Sequence, residues 1–226
     1  MEDKIWYLKD INVLKSLKEG DLMRLGVVCS MMQYRKGESI YMFEDTTNVF
    51  FLKSGSVKVM SVDADGNNHV QELLEAGEIF GKFIDEQADR QLKVIAAEDC
   101  LVCYLPFEKW QDFIKDHPAL SLSFIKWAGS RIKRLESKVD SLYFKPSRQR
   151  IAEKLMDTIM RFGKKDESGN VIVSLSLTHD EIAQLTGTSR QNVNTYLNEL
   201  REKGLIDYDR TSIHVKPAYF QNELLH

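Results

Sequence analysis

Cysteine is scarce in this 226-residue sequence, long apolar runs are missing, and neither sign of charge dominates. The three cysteines, Cys29, Cys100 and Cys103, are too few and too uneven for a disulfide framework. No uninterrupted apolar stretch approaches the ~18 residues of a membrane span, and the opening "MEDKIWYLKD" has no apolar core like that of a signal peptide. A cytoplasmic protein with no membrane partner is therefore expected. The net charge is −3, and residues 146–226 carry 11 basic and 11 acidic side chains. Bulk charge would not hold a nucleic acid there, so any such affinity must come from where the charges lie. Signatures of catalysis are also missing: there is no Walker A loop, no G-x-S-x-G, no HExxH and no Cys–His pairing in a convincing context. No catalytic residue, no metal site and no enzyme activity are expected.

Hydrophobic residues make up 43% of the chain and charged residues 29%, ordinary values for a globular fold. Residues 1–35 read as helical, with Leu14, Leu17, Leu22, Leu25 and Val28 recurring every three to five positions. From Gly37 to Pro106 the texture changes to short β-rich segments punctuated by glycine, including "VFFLKSGSVKVMSV", "AGEIFG" and "LKVIAAEDCLVCYL". "DADGNN" between two of them is a hairpin turn signal. Many short strands at this spacing predict a sandwich or barrel-like roll. Cys100 and Cys103 form a C-x-x-C, but on a strand positions i and i+3 face opposite ways, so they read as buried structural thiols.

A short helix, "PFEKWQDFIKDHPAL", leads to a long one from Pro118 to about Lys145. Ile125, Ala128, Ile132, Leu135, Val139 and Leu142 are spaced 3, 4, 3, 4, 3 along it. β-branched residues at a and mostly Leu at d favour a parallel two-stranded coil, so this seam predicts a homodimer. Pro146 bars the helix from continuing straight and is the expected hinge. Beyond it, "SRQRIAEKLMDTIMRFG" is a helix with Ile151, Leu155, Ile159 and Phe162 on one face. "KKDESGN" is expected to be a loop, and "VIVSLSL" a strand or two.

"LTHDEIAQLTGTSRQNVNTYLNELREKGLI" then carries two helix starts ten residues apart. Thr178 and Glu181 match a capping box, and Thr188 and Gln191 match a second. That spacing leaves two turns of helix and a tight turn, a helix-turn-helix. Ala183 is small enough for a close crossing, Gly187 suits the turn, Val193, Leu197 and Leu200 form the buried face, and Gly204 ends the second helix. "LIDYDRTSIHV" reads as a two-stranded wing. Facing outward should be Ser189, Arg190, Gln191, Asn194, Thr195 and Asn198. Arg can grip a guanine edge with two bonds and Gln or Asn an adenine edge. Thr178 and Ser189 at helix starts suit phosphate oxygens. The candidate DNA-binding residues are thus Thr178, Ser189, Arg190, Gln191, Asn194 and Thr195. A ligand-binding module whose helix-turn-helix serves protein contacts is the alternative.

Over nearly its whole length the chain resembles the catabolite activator / fumarate–nitrate regulator (CRP/FNR) family of bacterial transcription factors. The resemblance rests on "KGESI", "FFLKSGSVKV", "AGEIFG" and, above all, the helix-turn-helix stretch. It implies an α+β fold. Residues 1–117 would hold N-terminal helices and a cyclic-nucleotide-binding-like β-roll (a double-stranded β-helix or jelly roll). Residues 118–145 would form the dimerisation helix and 146–226 the winged helix-turn-helix. It further implies a homodimer on a near-palindromic double-stranded operator, with contacts to RNA polymerase. Arg190 matches the family's common Arg. Gln191 and Thr195 stand where cAMP-responsive members have Glu and Arg, which predicts a different operator.

The same resemblance places the candidate effector pocket at Glu78, Phe80, Lys82, Arg90 and Gln91, with Leu135 and Glu136 on the long helix. Lys82 stands where cAMP binders have a Glu, and a Lys cannot accept from a ribose hydroxyl, which argues against cAMP. Three cysteines fall short of the four ligands of an iron–sulfur cluster. Haem stays open through His69, His117 or a Met, so the effector is unassigned by sequence.

Overall fold

The computed structural model describes residues 8–42, 47–63, 65–81, 83, 91–175, 177–209 and 212–223. Two compact units emerge, Met1–Glu136 and Ser137–His226.

In the first unit, a 3-10 turn (Asn12–Leu14) and helix α1 (Glu19–Val28) precede eight strands: β1 (Ser30–Tyr34), β2 (Ser39–Met42), β3 (Asn48–Ser54), β4 (Ser56–Val62), β5 (Asn68–Glu75), β6 (Ile79–Gly81), β7 (Gln91–Ala96) and β8 (Cys100–Pro106). They form two four-stranded antiparallel sheets, ordered β1-β8-β3-β6 and β2-β7-β4-β5. Alternation along β3 explains its unbroken "VFFL" run. Phe50 and Leu52 belong to one core cluster with β2, β4, β5 and β7. Val49 and Phe51 belong to a second, with the helices and Trp110. β8 repeats the pattern: Cys100 joins the first cluster and Cys103 the second. Burial pushes the Cys100 thiol up to about 11. The expected turn is present between β4 and β5, where Asp63 accepts from the backbone of Asn67 at 2.8 Å.

One expectation fails here. Of residues 1–35, read as helical, 1–7 lie outside the described residues, 12–14 form only a 3-10 turn, and 30–34 are not helical. Cys29 is already extended, and β1 pairs along β8 from Ser30↔Tyr104 to Tyr34↔Cys100. Met, Gln and Tyr tolerate both states, and the edge of β8 supplies the hydrogen bonds that decide between them.

Helix α2 (Phe107–Asp116) leads to α3 (Pro118–Phe144), the long helix. Beyond Pro146 come α4 (Ser147–Phe162), β9 (Gly163–Lys165), β10 (Val171–Val173), α5 (His179–Thr186), α6 (Arg190–Glu202), β11 (Ile206–Tyr208), β12 (Ile213–Val215) and α7 (Pro217–Glu223). The strands make one antiparallel sheet, β11-β12-β10-β9. Lys164 and Lys165 are therefore strand and not loop, paired with Ile172 and Val171, and α7 is an element that the apolar periodicity did not signal. Ile151, Leu155 and Ile159 of α4 are buried, as their spacing predicted, together with Thr158.

Candidate nucleic-acid interface

Thr178 caps α5 with both halves of the box: its hydroxyl accepts from the Glu181 amide at 3.1 Å, and the Glu181 carboxylate accepts from the Thr178 amide at 2.8 Å. α5 ends at Gly187, whose φ of 61° is left-handed. A side chain there would also collide with Leu142. The second predicted box does not form. Ser189 caps α6 instead, accepting from the Asn192 amide at 3.2 Å, while the Thr188 hydroxyl accepts from the Asn192 side chain at 2.9 Å. A hydroxyl one residue later than expected lies closer to the orphan amides of the first turn.

Val193, Tyr196, Leu197 and Leu200 bury one face of α6. Thr178, Ser189, Arg190, Gln191, Asn194 and Thr195 are all exposed. Asn198 departs from this set. It is half-buried, and its carbonyl accepts from the Tyr208 hydroxyl of β11 at 2.8 Å, tying the helix to the wing. Sequence reasoning also missed His179. Its ring lies edge-on to Tyr208, with centroids 5.3 Å apart. Burial and then the Arg190 charge hold its pKa below the usual value, against a hydrogen bond to Asn194. The only sequence signal was its position directly after the capping Thr178. Toward the far end of α6, Arg148 pairs with Glu199 at 2.6 Å and covers the Tyr196 ring.

Five of the six seam residues on α3 (Ile125, Ile132, Leu135, Val139 and Leu142) are exposed large apolar side chains, and Ala128 is half-buried. They leave an apolar stripe along α3, on which Leu122, Tyr143 and Phe144 are exposed apolar side chains as well.

In the roll, Phe80 is buried in a stack with Phe50 and Tyr41, at centroid distances of 5.1 and 6.2 Å. Burial pushes the Tyr41 phenol up to about 12. Glu78 is only 8% exposed, and a carboxylate at that depth requires a partner. It accepts from the Glu75 amide at 3.0 Å and lies 3.5 Å from Arg134. Its neighbour Glu72 pairs with Arg131 at 2.7 Å. Leu135 and Glu136 are exposed. Lys82 and Arg90 lie outside the described residues, as does the Gln91 side chain. Glu72, Arg131 and Arg134 were not singled out in the sequence, although the two arginines sit one turn apart beside the seam.

Both histidines considered for haem have partners. His69 pairs with Asp63 at 3.0 Å, and that bond, with those from Asn67, holds the Asp63 carboxyl well below the usual carboxylate range. The His117 ring nitrogens meet the Phe113 carbonyl at 2.7 Å and Asp21 at 3.2 Å. Among the described residues no His/Cys/Asp/Glu cluster could hold a metal ion, and no helix is long and apolar enough to cross a membrane.

Two family models match the chain in the same order as these units: a cyclic nucleotide-binding domain over residues 31–117 and a Crp-like helix-turn-helix domain over 149–217. The chain belongs to the CRP/FNR family. It is 27% identical over 183 residues to the cAMP-activated global transcriptional regulator CRP of Haemophilus influenzae, covering 79% of this chain and 80% of that one. It is 28% identical over 170 residues to the global nitrogen regulator of a Synechocystis strain, covering 74% and 75%. Among solved structures, a CooA mutant from Carboxydothermus hydrogenoformans superposes with a TM-score of 0.67 at 27% identity, covering 96% and 95%. The c-di-GMP-responsive regulator CLP of Xanthomonas campestris shares the fold at a TM-score of 0.72 and 19% identity, covering 88% and 99%. CRP/FNR proteins are transcription regulators and not enzymes, and the winged unit is a DNA-binding domain of that type.

Proposed function

We propose that the protein is a homodimeric, sequence-specific regulator that reads a near-palindromic operator and is gated by an effector other than cAMP. The observation that carries this reading is the two-faced α6. Val193, Tyr196, Leu197 and Leu200 fix its inner side, while Arg190, Gln191, Asn194 and Thr195 stand exposed on its first two turns. Arg190 would take a guanine edge, and Gln191 and Asn194 would take adenine edges. The amide ends of α5 and α6, capped by Thr178 and Ser189, would lie toward phosphates.

The apolar stripe of α3 supports pairing with a second copy, which places two reading helices on one duplex. Lys82 in place of an acceptor argues against cAMP, and Glu78 and Glu72 already engage Arg134 and Arg131. Contacts to RNA polymerase belong to this reading as well.

In vitro selection from random duplexes at moderate salt, with light scattering on the same sample, tests it. A dimer that enriches a two-fold site unlike that of cAMP-type regulators is expected, and cAMP should leave its affinity unchanged. A sample that enriches no site above non-specific binding would refute the reading.

A further inference from the structure

The end of the long helix and the turn of the helix-turn-helix share one cation. Arg150, in the first turn of α4, donates from Nη1 to the Lys145 carbonyl at 2.7 Å. It donates from Nε to the Thr186 carbonyl at 2.8 Å and from Nη2 to the Gly187 carbonyl at 2.8 Å. Lys145 directly follows α3, and Thr186 and Gly187 close α5. Both places are helix C-termini, where carbonyls lack intrahelical partners and carry partial negative charge. A guanidinium is planar and offers five donors in a fixed fork, so one side chain serves both ends.

Two further ties cross the same corner. Leu142 lies against Gly187, so that a side chain at that position would have to displace the Leu142 methyl group. Lys145 bonds both carboxylate oxygens of Glu153 at 2.7 Å, reaching over Pro146 into α4.

We propose that Arg150 is a positioning residue that welds the last turn of α3 to the turn preceding the reading helix α6. Pro146 is then a rigid corner and not the hinge its sequence suggests. Any rotation imposed on the end of the long helix is delivered to α6 without slack. Leu142 also changes meaning: the last residue of the apolar stripe touches the turn of its own chain, so coil and reading head meet at one side chain.

This inference rests on the DNA-binding reading for its consequence but not for its geometry, and the test separates the two. Full-length wild type, Arg150→Met and Arg150→Lys are compared by thermal melting, by affinity for the selected operator and for a scrambled duplex, and by amide hydrogen exchange. Arg150→Met should bind the operator about tenfold or more weaker, the scale expected from losing charge-assisted bonds. It should bind the scrambled duplex within about twofold of wild type, because phosphate contacts do not depend on fine orientation. Exchange at Arg150, Gly187 and Thr188 should rise. Arg150→Lys, which keeps the charge and loses the fork, should recover little of either.

Operator affinity equal to wild type in Arg150→Met would overturn the proposal. So would full rescue by Lys, or parallel losses on both duplexes explained by a lower melting temperature. If wild type itself selects no site, the DNA-binding reading fails, and the exchange data alone decide the weld: faster exchange at the turn in Arg150→Met supports it, and unchanged exchange sinks it.

Discussion

The roll and the reading head treat their polar side chains in opposite ways. In the roll, Glu72 and Glu78 turn toward Arg131 and Arg134, and the aromatic rings of Tyr41, Phe50 and Phe80 fill the space between the sheets. In the head, Arg190, Gln191, Asn194 and Thr195 stand exposed on a helix whose other face is fully packed. A side chain used to read a duplex is kept at the surface on a rigid support. One used to hold elements together is paired within the molecule, and of Glu72, Glu78, Arg131 and Arg134 only Glu78 is buried. The difference separates the part of the molecule that meets a large partner from the part whose charges are engaged within it.

The largest expected effect tests whether the head acts alone or in pairs. Replacing Ile132 and Leu135 with Asp should leave the protomer folded, since these side chains are 57% and 56% exposed. Pairing should be lost, because four charges would face each other across the seam. Light scattering should report a monomer, and operator affinity should fall about a hundredfold or more as the second head's effective concentration disappears. Leu142 is left unchanged because its contact with Gly187 would mix two effects. A double variant that remains dimeric removes this stripe as the seam.

The head was far more legible in the sequence than the sensor, and the reasons are local. Capping at Thr178, the left-handed turn at Gly187 and the buried face through Val193, Leu197 and Leu200 depend on neighbours within a few residues, so spacing alone revealed them. Within the helix-turn-helix and its wing contact the errors were of one residue or one partner: Ser189 caps in place of Thr188, and Asn198 turns to Tyr208 across the wing. In the first unit, what matters joins residues far apart in sequence. Arg131 reaches Glu72 over 59 positions, and β1 became a strand because β8 offers it an edge. No periodicity within residues 30–35 carries that information. Arg150 was invisible for the same reason: its three acceptors come from two separate helix ends.

A smaller effect, confined to the head, distinguishes reading from mere adhesion. Arg190→Ala should weaken operator binding by about 1–3 kcal/mol and relax preference at one base position in each half-site. Binding to scrambled duplex should change little, and the melting temperature should hold, since Arg190 is exposed. Repeating the selection with the variant would give the answer directly. Equal losses on operator and scrambled duplex would assign Arg190 to phosphate and leave base reading to Gln191 and Asn194.

The smallest effect asks how much of the head's rigidity is stored at one cap. Thr178→Ala removes the acceptor for the Glu181 amide and the hydroxyl that bonds the Glu181 carboxylate at 3.2 Å. The Glu181 carboxylate can still accept from the backbone amide of residue 178, so only half of the box is lost. Unfolding of this unit in urea should shift by about 1 kcal/mol. Thr178 is exposed, so no cavity forms and the change should be purely a capping loss. Thr178→Ser keeps the acceptor and should restore nearly all of it. If Ala and Ser variants lose operator affinity equally while stability separates them, the Thr178 methyl group touches the duplex. If affinity follows stability, the residue serves DNA binding only by holding the start of α5 in place.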